Sequence, residues 1–305
     1  SASPFQIGST SDIGFYPNAW HALTTLGAEL TGASVPVAVN GSNLAIVSIL
    51  WPASVMALAG AFFAQRRTAY VVSAALSTGF GAFPALFFNW GVLYPNLVGY
   101  AMLPAALAVI VTMLPERGAP ALVRSALLVA LLAGGTFVGH PNAFLSLLFF
   151  AAAAVITTFA VRAVTERTRG AAVGLVVSTA AFAVAMAGTV AVFRTGAEHS
   201  GWAPWQQLSQ SLGEGLFAAP RGFTPTVVAS LLLIAGFIAV ARRPRLLPVL
   251  APFAVAVVLF AVASGLRIDS PLRQLLTNPW YNDSNRLAAL LPLVAIPVAT
   301  LGALA

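Results

Sequence analysis

Apolar residues occupy this chain in blocks about twenty residues long, divided by short polar or turn-rich intervals, with no sustained apolar–polar alternation of the kind a half-buried strand shows. Wound as a helix, an apolar block of that length matches the hydrocarbon thickness of a bilayer. Nine blocks qualify, at roughly 43–63, 68–88, 94–114, 124–139, 142–161, 170–193, 225–241, 246–263 and 287–305. The pattern predicts an all-α polytopic membrane protein with about nine transmembrane helices.

The intervals between blocks fall into two alternating sets. One holds ten arginines (Arg66, Arg67, Arg117, Arg124, Arg162, Arg167, Arg169, Arg242, Arg243 and Arg245) with only Glu116 and Glu166. The other holds five arginines and six acids: Asp12, Glu29, Glu198, Glu214, Asp269 and Asp283. By the positive-inside rule the first set is cytoplasmic, which places residues 1–42 outside. The expected division is a first outer segment, 1–42, followed by a transmembrane domain, 43–305, with long outer loops at 194–224 and 264–286. The chain starts without methionine and stops inside an apolar run, so we expect a piece of a longer protein.

Composition narrows the class. Only 8% of residues are charged and 59% are hydrophobic, which excludes an ordinary soluble domain. There is no cysteine, so disulfides and thiolate metal sites are excluded. All 15 basic residues are arginine. Their placement accounts for the net charge of +7 through topology, and no nucleic-acid partner is expected. The predicted partner is the bilayer, and the predicted location is the plasma membrane.

Chemistry concentrates in the outer set. Tyr16-Pro17 opens a stretch in which Trp20, Leu23, Leu26 and Leu30 recur at helical spacing, predicting an amphipathic surface helix. His21 and Glu29 share another face of it, and Asp12 lies just upstream. A second interfacial helix is predicted near Leu208, Leu212 and Leu216, beside Trp202 and Trp205, which suit either membrane-belt anchors or a sugar-stacking platform. Gly139-His140-Pro141-Asn142 joins two apolar blocks. From Arg124 to His140 a helix covers only about 24 Å, which sinks His140 slightly below the outer surface, either capping a tight turn or lining an outward cavity. Gly134, Gly135 and Gly139 allow close approach of a neighbouring helix or lipid chain. Arg286 enters an apolar helix directly after Asn282, Asp283 and Asn285. A guanidinium there either snorkels to water or binds a lipid phosphate, and the adjacent oxygens suit a sugar or a divalent cation. No P-loop, dinucleotide turn, HExxH, GxSxG or DxD pair occurs, so no soluble nucleotide cofactor is expected.

An aspartate before an aromatic-Pro-…-Trp-His helix (Asp12 to His21), a His-Pro turn between middle spans and an Asn-Arg entry into a late apolar helix together resemble GT-C-fold glycosyltransferases. More narrowly, they resemble large actinobacterial integral membrane proteins related to that superfamily. The resemblance implies inverting transfer of a sugar from a polyprenyl-phosphate donor to a glycan acceptor of the cell envelope, on the outer face. It puts the catalytic base on Asp12; the departing phosphate is then expected at Arg286 with His140, the best-placed cationic candidates, and Asp283, Asn285 and His21 are expected as further substrate contacts. Two other readings stay open: a lipid or polysaccharide translocase or polymerase component, and a non-catalytic envelope assembly partner.

Overall fold

The computed structural model describes residues 16–114, 118–193 and 202–305. The described residues are predominantly helical with no strand, as an all-α polytopic protein requires. The helices are α1 Ala19–Thr31, α2 Val35–Phe62, α3 Arg67–Leu76, α4 Tyr94–Met113, α5 Ala119–Gly139, α6 Pro141–Thr165, α7 Arg169–Phe193, α8 Leu208–Leu216, α9 Val227–Arg242, α10 Leu247–Gly265, α11 Pro271–Thr277 and α12 Ser284–Leu304. Seven stretches, in α2, α4–α7, α10 and α12, are long and apolar enough to cross a bilayer. The 16-residue α9 is shorter. Asp12 and His199 lie outside the described residues.

The bundle is built around α12, in which every residue from Leu287 to Leu301 is buried. Its closest neighbour is α9, and glycine is the reason: a Cβ at Gly236 would meet the Val298 carbonyl, and one at Gly302 the Leu232 carbonyl. The other neighbours of α12 are α10, α3, α2 and, less extensively, α4, while α7 packs principally on α6 alone.

Three expectations change. The block at 68–88 is not one helix. It is the ten-residue α3 followed by irregular chain and a single turn, Leu86–Asn89. Ser77 and Thr78 turn their hydroxyls back onto the carbonyls of Ala74 and Ala75, and Gly79, Gly81 and Pro84 follow. The freed backbone groups find partners elsewhere in the fold. Trp51 Nε1 donates to the Ser77 carbonyl (2.9 Å), and the Thr226 N–H donates to the Gly79 carbonyl (2.7 Å). Second, α5 begins at Ala119, giving 21 residues and about 32 Å of helix. The short-span argument for a sunken His140 therefore fails, and packing buries it instead. Third, α8 does not lie across the end of the bundle. It runs antiparallel along α10, with Leu208 against Gly265 and Gly215 against Val257.

Alternation of the helices brings the arginine-rich turns to one end of the bundle. The starts of α4, α6 and α12 meet at the other.

Candidate functional site

The arginine-poor end holds a buried polar cluster at the start of α12. Asp283 caps this helix, its Oδ1 accepting from the backbone N–H of Asn285 (2.9 Å) and from Asn285 Nδ2 (3.3 Å). Its Oδ2 accepts from Arg286 Nε and from Trp90 Nε1, each at 3.2 Å. Arg286 Nη1 then donates to Asn96 Oδ1 (2.8 Å), on the first turn of α4.

His140 completes the group. Its Nδ1 accepts the Asn142 N–H (3.2 Å) and so caps α6. A ring nitrogen that accepts carries no proton, so in this tautomer the hydrogen sits on Nε2. Nε2 lies 3.4 Å from Arg286 Nη1, which is also a donor. The ring is held neutral, its pKa lowered to about 3, first by burial and then by the Arg286 charge. Two donors therefore face one another with no acceptor between them, and Asn96 Nδ2, Asn142 Nδ2 and Ser284 Oγ are buried without a hydrogen-bond partner among the described residues. No described hydrogen bond engages Arg286 Nη2. An oxyanion supplies the acceptor such a group lacks, and the positive ends of the α4, α6 and α12 dipoles add to its attraction.

The turn that delivers Arg286 is anchored by a residue with no apparent role in the sequence. Arg273 is fully buried, and burial lowers its pKa. Its Nε donates to the Ala263 carbonyl (3.0 Å) and its Nη2 to the carbonyls of Trp202 (2.7 Å) and Asn282 (3.1 Å), joining α10, the 202 segment and the turn. Tyr281 and Asn282 are both left-handed, with φ of 60° and 53°. Asn282 supports this conformation by accepting from Thr277 Oγ1 and donating to Gln274 Oε1. Trp280, fully buried, donates to Ser146 Oγ on α6 (3.0 Å). The result is a Tyr281 ring 5.0 Å from the Arg286 guanidinium carbon.

Above the cluster lies a pocket of about 390 Å³ walled by Trp90, Leu93, Trp202 and Tyr281, with Asp283 and Arg286 at its floor. Trp90 and Trp202 meet edge to face at 5.0 Å. An aromatic wall over a guanidinium suits a ligand with an apolar or sugar-ring face and an anionic end. Asp283 already accepts four hydrogen bonds, which leaves it no lone pair for a substrate proton or a metal. Among the described residues no group of three or more His, Asp or Glu side chains converges on a metal position.

The fold thus brings together four of the residues singled out in the sequence: Arg286, His140, Asp283 and Asn285. His21 makes none of these hydrogen bonds and packs against the rings of Tyr16 (5.7 Å) and Trp20 (5.1 Å), with burial lowering its pKa. Asn96, Trp90 and Arg273 escaped the sequence reading. For Asn96 a signal exists: Tyr16-Pro17-Asn18, Tyr94-Pro95-Asn96 and His140-Pro141-Asn142 repeat a ring-Pro-Asn triplet, each at a helix start. No curated protein and no solved structure is found to match the chain. One family does match, over residues 1–305, and the chain belongs to it: DUF6541, a family of unknown function.

Proposed function

We propose that the pocket over Arg286 opens to the extracytoplasmic side and receives the phosphate of a polyprenyl-phosphate-linked sugar, and that the protein is an inverting GT-C-type glycosyltransferase of the cell envelope. The observation that carries this reading is Arg286 at the floor of a pocket walled by three aromatic rings, its Nη1 facing His140 Nε2 at 3.4 Å with no acceptor between them. Arg286 and Asp283 cancel in charge and His140 is neutral, so the site would hold an anion through hydrogen-bond donors and helix N-termini and not through net positive charge. A lipid-linked donor also fits a chain without nucleotide motifs.

In the proposed reaction a carboxylate, assigned to Asp12, takes the proton of the acceptor hydroxyl as its oxygen bonds to the anomeric carbon. The bond from that carbon to the phosphate oxygen breaks on the opposite face, and the phosphate leaves with the electron pair. Arg286 and His140 Nε2–H stabilise the charge that develops there. Asp283 orients Arg286 and takes no proton.

The test is glycosyl-linkage analysis of the envelope from a deletion strain complemented, at matched membrane levels, with the full-length gene intact or carrying Asp12→Asn or Arg286→Gln. Restoration of one missing linkage by the intact gene alone is the expected result. Restoration by Arg286→Gln removes the phosphate role, and restoration by Asp12→Asn removes the base. Purified protein is expected to transfer sugar from the synthetic lipid donor at a rate roughly 100-fold lower for Arg286→Gln.

A further inference from the structure

From the His140 cap α6 runs to the arginine-rich end, packed against α10, and the seam between the two helices opens twice. The deeper opening is a cavity of about 500 Å³ between Phe149, Ala153 and Ile156 of α6 and Ala254 and Val258 of α10, with Phe182 of α7 beside it. The other, of about 380 Å³, lies between Arg162, Thr165 and Glu166 at the end of α6 and Arg245 and Pro248 at the start of α10. The helices are antiparallel. The path from Phe149 to Arg162 along one therefore matches the path from Leu259 to Arg245 along the other, and the two cavities follow end to end as one groove. Alanine makes the space: Ala152, Ala153, Ala251 and Ala254 stand where larger side chains would close the seam.

The groove is apolar in its depth and charged at its mouth. Thr157 and Thr158 turn their hydroxyls back onto the carbonyls of Ala153 and Ala154, and Thr165 donates to Val161, so none of the three offers a free donor. From Phe149 to Arg162 the helix rises about 20 Å, a little more than one leaflet of a hydrocarbon core about 30 Å thick. At the mouth Arg162 stands 3.9 Å from Glu166, and among the described residues no ion pair engages Arg245. Two arginines against one glutamate leave the mouth positive. A neutral lipid would fill the apolar slot and leave Arg245 without a counter-charge, whereas an anionic headgroup supplies it. We propose that this groove is a binding site for one anionic phospholipid, its phosphate between Arg162 and Arg245 and an acyl chain laid along Ala153, Ala254 and Val258 as far as Phe149. The inference rests on the positive-inside topology and is independent of what the Arg286 pocket binds.

The test uses full-length protein in nanodiscs of phosphatidylcholine doped with phosphatidylglycerol, then native mass spectrometry after extraction. Wild type is expected to retain one phosphatidylglycerol in preference to phosphatidylcholine. R162Q/R245Q is expected to lower that preference roughly tenfold. R66Q/R67Q, which removes as many charges from the same end but outside the groove, is expected to keep it. Ala254→Trp, which fills the slot from an exposed position and leaves the charges, is expected to reduce retention of the lipid. Unchanged preference in R162Q/R245Q, equal loss in R66Q/R67Q, or retention indifferent to headgroup charge overturns the proposal. So does wild type that retains no lipid, which would give the groove to a protein segment instead. If R162Q/R245Q does not fold, Ala254→Trp decides: unchanged phosphatidylglycerol retention overturns the site.

Discussion

At Asp283 four donors meet one buried carboxylate, and two of them, Trp90 Nε1 and Arg286 Nε, arrive on the same oxygen. Asp283→Asn keeps an oxygen to cap α12 but strands the Arg286 charge, whose side chain is only 16% exposed. We expect a loss of about 3 kcal/mol, read as a lower thermal midpoint in detergent, with Asp283→Ala worse because the cap is lost too. Arg273→Lys is the matching test of the turn. One ammonium cannot reach three carbonyls in the plane of a guanidinium, and the expected cost is roughly 2 kcal/mol. For His140 the sign follows from its lowered pKa. The fold favours the neutral ring, so its contribution is complete above pH 6.5 and is lost as pH falls from there towards 3, where the unfolded chain binds the proton first. Between pH 7 and pH 5 the thermal midpoint of wild type should fall, by the equivalent of roughly 1–2 kcal/mol. His140→Asn, which retains a cap, should flatten that dependence.

Among the helices, the α4–α5 crossing decides whether His140 and Asn96 can face each other. A Cβ on Gly139 would stand 2.9 Å from Gly99 Cα and 3.0 Å from its N, whereas Gly134 has open space beside it. Gly139→Val should therefore push α5 from α4 and abolish ligand binding at Arg286, while Gly134→Val leaves it intact. Transfer activity and thermal midpoint of the two variants separate the cases. This crossing was partly legible in the sequence, since Gly134, Gly135 and Gly139 announce close approach without saying which of them makes it. Arg286, Asp283 and Asn285 were legible because they stand together against an apolar block. Asn96 was not, because its partner is 190 residues away and a lone Asn after Pro reads as a helix start. Arg273 was hidden for a similar reason: its contacts are carbonyls, which any residue type supplies. The block at 68–88 misled because apolar content fixes burial, while the Gly-Phe-Gly and Pro that break the helix carry little weight in a hydropathy count.

For the molecule as a whole, the arginine bias predicts that the two ends face different compartments. The chain contains no cysteine, so a single introduced thiol reports its side without background. In intact cells Tyr281→Cys, 44% exposed at the arginine-poor end, should react with a membrane-impermeant maleimide, and Arg245→Cys should react only after lysis. The reverse labelling would invert the topology and remove the outer-face site.

The hydrogen bond from Thr226 to the Gly79 carbonyl, with Gly81 packed against the Phe223 and Thr224 backbone, also bears on biogenesis. The irregular chain after α3 is made early, yet one of the groups that satisfies its backbone is synthesised almost 150 residues later. Until then that stretch is a poor guest for lipid, with bare carbonyls and no helix to cover them. The nascent protein is thus expected to hold residues 77–85 at the insertion machinery or in a watery vestibule, and to complete its second crossing only after α8 and α9 have entered.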